Sequence, residues 1–140
     1  MAAQLEHANI TVEDISAAIA FLRVIEPDLK VRRDDIAPAK FRWAHVALGA
    51  SYIALQEPHV GSDPTYCGRR YKDFGVNHLG LVVDDLDAVI ARLDAGGYRR
   101  GIPGEEHPHR RRVYYHDSSG MEWELVQYLS RHEEEMYSYE

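Results

Sequence analysis

The chain contains an internal repeat, and this feature limits the folds available to it more than any other. Residues 5–22 match residues 76–93 at a constant offset of 71. The identical pairs are His7 with His78, Val12 with Val83, Asp14 with Asp85, Ala17 with Ala88, Ile19 with Ile90, Ala20 with Ala91 and Leu22 with Leu93. One half of the chain is therefore a diverged copy of the other, and the sequence predicts two modules of the same architecture.

Each copy begins with a strand pattern and continues with a helix pattern. In the first copy Ala8, Ile10 and Val12 fall on one face of a strand, and the second copy repeats this alternation. His7 and His78 point away from the apolar face. Helical spacing of apolar residues follows in both copies. The pattern thus predicts two histidines at equivalent places, each on the less apolar face of a first strand.

The predicted helices have start and stop signals. Asp14 and Asp85 are N-caps, because a short carboxylate accepts hydrogen bonds from the first amides of a helix. Pro27 limits the first helix, and Gly96-Gly97 ends the second. Shorter strands are predicted at 41–48, 52–56, 112–116 and 122–128. Each module is therefore a strand and a helix followed by two or three strands.

The same pattern divides the chain into segments. The sequence predicts a first module at 1–57, a linker at 58–74, a second module at 75–129 and a polar tail at 130–140. The tail has two interpretations. Tyr137 and Tyr139 dock on a neighbouring subunit, or the tail is a frayed terminus.

Composition excludes several classes of function. With 45% hydrophobic and 28% charged residues, the chain is typical of soluble globular proteins. Apolar runs fall short of the roughly 20 residues of a membrane helix, and the N-terminus lacks an export signal. The single cysteine, Cys67, excludes an internal disulfide. The net charge of −7 argues against nucleic acid as a partner. We therefore expect a cytoplasmic protein that binds neither membranes nor nucleic acids.

The repeat and a closing motif together resemble the vicinal oxygen chelate superfamily of glyoxalases, bleomycin-resistance proteins and extradiol dioxygenases. That family has a histidine on the first strand of each module and an acidic residue after Asp-x-x-Gly. Here Asp117-Ser118-Ser119-Gly120 precedes Trp123-Glu124-Leu125. The resemblance covers nearly the whole chain. It implies an α+β fold in which two tandem βαβββ modules form a half-open curved sheet.

The resemblance also implies a metal site. One divalent metal, Fe, Mn, Ni, Co or Zn, is expected on His7, His78 and Glu124, because these metals accept imidazole and carboxylate ligands. Three protein ligands leave positions open for water or a bidentate substrate. Where four-ligand relatives carry another carboxylate, this chain has Ile53 or Ala54, so three ligands are the preferred interpretation. Glu57, after a small register change, and Gln56, through its neutral oxygen, stay open as a fourth.

Further candidates come from a partial resemblance to the C-terminal signature of extradiol dioxygenases. That resemblance implies that His107 and Tyr114 orient the substrate and move protons. Core packing explains Tyr114 equally well. Arg110-Arg111-Arg112 is either a solvated loop edge or a clamp for an anion. The other histidines are assigned to structural roles, namely His45, His59, His109, His116 and His132.

The preferred interpretation is a metal-dependent enzyme acting on a small oxygen-chelating substrate, anionic or aromatic, by lyase or isomerase chemistry or by ring-cleaving dioxygenation. One alternative is a bleomycin-resistance-like binding protein without catalysis. Another is a thiol transferase of the fosfomycin type. The resemblance also implies a homodimer. The sequence leaves open whether His7 and His78 of one chain share a site, or whether the site combines two chains.

Overall fold

The computed structural model describes residues 2–65 and 69–139. The chain divides into two compact units, Met1–Cys67 and Gly68–Glu140. The division falls inside the segment that the sequence predicts as a linker. Cys67 itself lies outside the described residues.

The first unit has the βαβββ order that its half of the repeat predicts. Its elements are β1 (His7–Thr11), α1 (Ile15–Ile25), β2 (Lys30–Ile36), β3 (Arg42–Leu48) and β4 (Ser51–Gln56). They form a four-stranded sheet in the order β1-β4-β3-β2. β1 runs parallel to β4, and the other pairings are antiparallel. The parallel pairing brings the strand that carries His7 beside the last strand of the unit.

The second unit repeats this arrangement with a shorter sheet. Its elements are β5 (His78–Val82), α2 (Leu86–Ala95), β6 (Arg110–His116), β7 (Glu122–Tyr128) and α3 (Glu133–Met136). The sheet order is β5-β7-β6, with β5 parallel to β7.

A short extended segment takes the place of a fourth strand in this sheet. Residues Arg99 to Gly101 pair with the end of β6 through one bridge, Arg100 to Tyr115. The Gly101 amide donates to the Tyr114 carbonyl at 2.7 Å. Pro103 follows, and it has no amide hydrogen with which to continue the ladder. The α+β, glyoxalase-like fold that the sequence predicts is confirmed, with one fewer strand in the second unit.

The predicted helix caps are in place. The Asp14 carboxylate accepts from the Ala17 amide at 3.1 Å, and the Asp85 carboxylate accepts from the Ala88 amide at 3.0 Å. α1 ends at Ile25, and Gly97, just past the end of α2, has a left-handed φ of +75°. The two carboxylates set where each helix begins, and the buried apolar residues of each helix face its own sheet.

In each unit one face of the sheet packs on its own helix, and the side chains there are the core. The first core consists mainly of Ile15, Phe21, Leu22, Val46, Ile53 and Leu55, and the second of Leu86, Val89, Leu93, Tyr115, Trp123 and Leu125. Burial of these side chains leaves the opposite face of each sheet for polar groups. No helix among the described residues is long and apolar enough to cross a membrane.

The C-terminal segment folds onto its own unit. The buried Arg110 guanidinium donates to the carbonyls of Met136 and Ser138 at 2.7 and 3.0 Å. The rings of Tyr128 and Tyr137 meet edge to face, with centroids 5.8 Å apart. Arg110, the first residue of β6, is thus hydrogen-bonded to the C-terminal segment.

Candidate functional site

The face of the second sheet that is turned away from α2 carries a cluster of polar side chains. Glu122 of β7 pairs with His78 of β5 on one side and with His116 of β6 on the other. Two residues further along β7, Glu124 lies between Gly80 and Tyr114. Residues directly opposite one another project to the same face of a sheet. We call this cluster the polar face of the second unit, consisting of His78, Arg112, Tyr114, His116, Glu122 and Glu124.

The Asp-x-x-Gly motif builds the turn that starts β7. The buried Asp117 carboxylate accepts from the amides of Ser119 and Met121 at 2.9 and 3.0 Å, and from Nε1 of Trp123 at 3.1 Å. Gly120 has a φ of +85°, which suits a residue without a side chain. Because the turn is held from three directions, the register of β7 is fixed and Glu124 projects onto the polar face.

Two of the predicted metal ligands touch each other on this face. Nε2 of His78 lies 2.9 Å from Oε2 of Glu124. The edge of the Tyr114 ring meets the His78 ring, with centroids 5.4 Å apart and an interplanar angle of 79°. Burial, and then the negative charge of Glu124, raises the pKa of the Tyr114 phenol. Tyr114 therefore keeps its proton beside the two predicted ligands.

The other nitrogen of His78 has a separate partner. Nδ1 of His78 lies 3.1 Å from the hydroxyl oxygen of Tyr71, and that hydroxyl donates a short hydrogen bond to Oε1 of Glu122. Desolvation of the Tyr71 hydroxyl, and then its bond to Glu122, raises the pKa of Tyr71 to about 12. The phenol is therefore neutral, and its one proton is directed to a carboxylate, which only accepts. Its oxygen keeps lone pairs that can accept a hydrogen bond from Nδ1 of His78.

This hydrogen-bond pattern is satisfied when a neutral His78 carries its proton on Nδ1. With the proton on Nδ1, Nε2 carries only a lone pair, and it faces a carboxylate oxygen of Glu124 at 2.9 Å. Two acceptors at that distance repel each other, and an ion that binds both would remove this repulsion. The pair has the donor chemistry of a metal site, an imidazole nitrogen and a carboxylate oxygen.

Glu122 is a buried carboxylate at the centre of the polar face. Only 3% of it is exposed, and its oxygens lie 3.6 Å from Nδ1 of His78 and 3.6 Å from Nε2 of His116. Burial lowers the pKa of His116. Nδ1 of His116 is buried and has no hydrogen-bond partner among the described residues. The sequence assigns His116 to a structural role, and the structure adds that its imidazole borders the candidate site.

Glu122 and Tyr71 are two residues of this face that were not predicted from the sequence. A signal for Glu122 was available, because a residue two positions before Glu124 on a strand shares its face. Tyr71 had none. It lies in the predicted linker, where no periodicity indicates which side chains point inward.

The equivalent face of the first unit is aromatic. Tyr52 pairs with His7, and Ala54 pairs with Asn9, so these two residues hold the places that Glu122 and Glu124 hold in the second unit. The His7 ring stacks on Tyr52 with centroids 4.7 Å apart, and Nδ1 of His7 lies 3.0 Å from a Glu6 oxygen. The His7 ring is thus fixed by neighbours of its own unit. The position equivalent to Glu124 has no ligand side chain.

The structure places two further candidates in other surroundings. Oε1 of Glu57 accepts from the Ile15 amide at 3.1 Å, at the start of α1. Nε2 of His107 lies 3.1 Å from the Ser138 carbonyl, and its Nδ1 accepts from the His109 amide. Glu57 therefore contacts a helix terminus and His107 contacts the C-terminal segment. Their catalytic roles stay predictions.

Each arginine of the predicted anion clamp has a partner within the second unit. Arg110 donates to carbonyls of the C-terminal segment, as described above. Arg111 donates to Asp87 at 2.7 Å. Nη2 of Arg112 lies 3.6 Å from Glu105, and its Nη1 lies 3.8 Å from Glu124. These contacts favour a structural interpretation for the run of arginines.

Neither unit brings three or more His, Cys, Asp or Glu side chains into one metal-binding group within residues 2–65 and 69–139. Of the three predicted ligands, the second unit brings His78 and Glu124 together. His7 belongs to the first unit.

Two modules with a parallel pairing of first and last strands, and a histidine beginning each first strand, define a glyoxalase-like fold. The family model described as Glyoxalase/Bleomycin resistance protein/Dioxygenase superfamily matches residues 6–115. The chain belongs to this superfamily, so the predicted membership is confirmed. A comparison with curated protein sequences gives no match.

Solved structures share the fold over nearly the whole chain. A glyoxalase family protein from Bacillus cereus has a TM-score of 0.76 at 20% identity, covering 93% of this chain and 97% of that one. A glyoxylase/bleomycin resistance protein/dioxygenase domain from Frankia sp. EAN1pec has 0.73 at 22%, covering 91% and 99%. The fosfomycin resistance protein FosX from Listeria monocytogenes, complexed with Mn(II) and sulfate, has 0.68 at 18%, covering 99% and 100%. At these identities the likeness establishes the fold.

Proposed function

We propose that this protein is a metal-dependent enzyme that acts on a small substrate chelating through its oxygens. The ion is held by His78 and Glu124, and His7 is the third ligand. One observation carries the proposal: Nε2 of His78 faces Oε2 of Glu124 at 2.9 Å, while Nδ1 is engaged by the Tyr71 hydroxyl. An imidazole nitrogen beside a carboxylate oxygen, with the other ring nitrogen bonded to a neighbouring hydroxyl, is the donor arrangement that holds a divalent ion in proteins.

The third ligand rests on the repeat. His7 aligns with His78 and begins the equivalent strand of the first unit. The family resemblance implies that both histidines hold the same ion. Glu57 and Gln56 are weaker candidates for a fourth ligand, because Glu57 accepts from the Ile15 amide and Gln56 lies 3.5 Å from His59.

The residues around the pair would support acyl, enol or phenol chemistry at a substrate oxygen. A bound divalent ion supplies Lewis acidity to the oxygens that contact it. Tyr114, whose pKa is raised by burial and by Glu124, keeps its proton and can donate it in a hydrogen bond to Glu124 or to a substrate oxygen beside His78. The reaction classes that fit are lyase or isomerase chemistry and ring-cleaving dioxygenation.

A binding protein without catalysis is the second candidate, and the first unit carries the observation that favours it. The rings of His7 and His45 lie 4.7 and 4.8 Å from Tyr52, and Trp43 lies 5.1 Å from His45. A row of partly exposed rings on one face of a sheet suits the binding of an aromatic molecule. A fosfomycin-type thiol transferase is the third, and a fosfomycin-plus-thiol assay tests it directly.

Metal binding separates the first two candidates. Protein purified without chelator is analysed for metals and titrated with Mn(II), the ion in the Listeria FosX complex. The proposal predicts about one ion per chain, and binding weakened at least about 100-fold in His78→Ala and in Glu124→Gln. The control is His132→Ala, which removes an imidazole that makes no side-chain cap bond to α3. Full binding in both site variants, or no binding in the wild type, overturns the proposal.

We also propose a homodimer, on the family resemblance. Sedimentation gives the mass. Mixing His7→Ala with His78→Ala protein then tests whether the ligands of one site come from one chain or from two. Recovered Mn(II) binding in the mixture requires that two chains contribute to one site, because only a mixed pair then contains an intact ligand set.

A further inference from the structure

A loop that precedes β5 carries Tyr71 onto the polar face of the second unit. The loop is anchored at two points: Nη1 of Arg70 donates to the Gly120 carbonyl at 2.6 Å, and the Tyr71 amide donates to the Asn77 side chain at 2.6 Å. Tyr71 has a φ of +65°. A tyrosine holds this left-handed conformation only where its surroundings fix it.

The Tyr71 hydroxyl bridges two groups that do not bond directly. Nδ1 of His78 and Oε1 of Glu122 are 3.6 Å apart, which is beyond a good hydrogen bond. The hydroxyl lies 3.1 Å from the nitrogen and donates to the carboxylate. Since Glu122 is 3% exposed, water does not compete for this oxygen. The Tyr71 hydroxyl therefore donates its proton to the carboxylate, and its oxygen can accept a hydrogen bond from Nδ1 of His78.

From this geometry we infer that Tyr71 and Glu122 are positioning residues that keep the His78 proton on Nδ1 and so present the Nε2 lone pair for ligation. The inference rests on the proposed function for its purpose, but the tautomer itself is a property of the metal-free protein. Outer partners of this kind fix ring orientation and basicity, and their loss costs about 10–100-fold in metal affinity.

The first experiment measures the tautomer without metal. Long-range ¹H–¹⁵N NMR of the full, metal-free chain at about pH 8, above the ordinary range of imidazole pKa values, assigns the protonated nitrogen of His78. The wild type is expected to show Nδ1–H. In Glu122→Leu the Tyr71 proton is free to bond Nδ1, so His78 is expected to move to Nε2–H, which can then donate to Glu124.

Three further variants sharpen this test. Glu122→Gln keeps an oxygen acceptor for Tyr71 and is expected to retain Nδ1–H. Tyr71→Phe removes a hydroxyl from a half-exposed ring, and is expected to raise the Nε2–H population even if Glu122→Leu fails to fold. Tyr137→Phe is the matched control, because Tyr137 is also half-exposed and lies in the C-terminal segment of the same unit.

The second experiment titrates the same variants with Co(II), whose visible absorption reports ligand geometry. Glu122→Leu is expected to bind about 10–100-fold more weakly with an altered spectrum, and Glu122→Gln within a few-fold of the wild type. An unchanged tautomer in both Glu122→Leu and Tyr71→Phe overturns the inference, whatever the metal affinity. Wild-type protein that binds no Co(II) or Mn(II) overturns the proposed function instead, and the NMR result still decides the inference.

Discussion

Glu57 and Gln127 make the same hydrogen bond in the two units. Oε1 of Glu57 accepts from the Ile15 amide at 3.1 Å, and Oε1 of Gln127 accepts from the Leu86 amide at 3.0 Å. Ile15 and Leu86 are the first residues of α1 and α2, whose amides have no partner within the helix. A side chain at the end of β4 or β7 is therefore hydrogen-bonded to the first residue of α1 or α2, respectively.

Because both units make this hydrogen bond, we expect its loss to lower stability by a similar amount in each. Glu57→Ala and Gln127→Ala should each lower the free energy of unfolding by about 1 kcal/mol, the usual effect of losing a helix-terminal acceptor. Glu57→Gln, which restores the group that the second unit uses, should recover most of this loss. Urea unfolding measures all three. If Glu57 is instead a metal ligand, Glu57→Gln will weaken Mn(II) binding while leaving stability nearly unchanged.

Asp117 should matter more for stability than any residue on the polar face. Its buried carboxylate satisfies two turn amides and the Trp123 indole. Hydrogen bonds to charged groups contribute about 1.5–3 kcal/mol each and are not additive, so Asp117→Ala should cost about 2–4 kcal/mol. Thermal or urea unfolding checks this. Ser118→Ala, in the same turn, is the control, and an equal loss there would contradict the assignment.

The structure confirms those parts of the fold that local sequence determines. The caps at Asp14 and Asp85, and the strands around His7 and His78, depend on residues close to one another in the chain, and the repeat presents each of these patterns twice. The strand that the sequence pattern did not predict is β2, Lys30–Ile36, whose sequence KVRRDDI lacks an apolar alternation. It is an edge strand, where charged side chains are common, so polarity concealed it.

The candidate site could be predicted in part for a similar reason. His78 belongs to the repeat and Glu124 follows a recognisable motif, so both could be predicted. Tyr71 reaches the site only because its loop is held by hydrogen bonds of Arg70 and Asn77, which the sequence does not indicate. Glu57 shows the opposite case. Its role as a ligand stays a prediction, whereas its bond to the Ile15 amide is a tertiary contact that leaves no local signal in the sequence.

The free energy of unfolding should fall at alkaline pH because Tyr115 loses its proton there. This ring is fully buried, and its hydroxyl donates to Asp94 at 2.6 Å. Burial, and then this bond, raises the pKa of Tyr115 to about 12, against about 10 in an unfolded chain. Above pH 10 the unfolded state therefore binds fewer protons than the folded state. The contribution is complete below about pH 10 and is lost as pH rises towards about 12.

Chemical unfolding measured across this range tests the assignment. Tyr115→Phe should lower stability near neutral pH by about 1 kcal/mol, the usual net effect of a lost hydrogen bond, and should flatten the alkaline decline. Tyr71, whose pKa is also raised to about 12, and Tyr114, whose pKa is raised by burial, should contribute to the decline that remains. The exposed Tyr139→Phe should change neither quantity, and an unchanged slope in Tyr115→Phe would refute the prediction.

Arg110 should control whether the C-terminal segment stays folded. Arg110 is 9% exposed, and its guanidinium donates to two carbonyls of that segment, at Met136 and Ser138. In Arg110→Ala these carbonyls lose a charged donor, which is worth about 1.5–3 kcal/mol and corresponds to roughly a tenfold or greater rise in local opening. Hydrogen exchange over residues 133–139 should accelerate accordingly. Arg111→Ala, which removes an exposed pair with Asp87, should change exchange there by less than about twofold, because exposed ion pairs contribute little. Equal exchange in both variants would mean that the Tyr128–Tyr137 contact, and not Arg110, holds the segment.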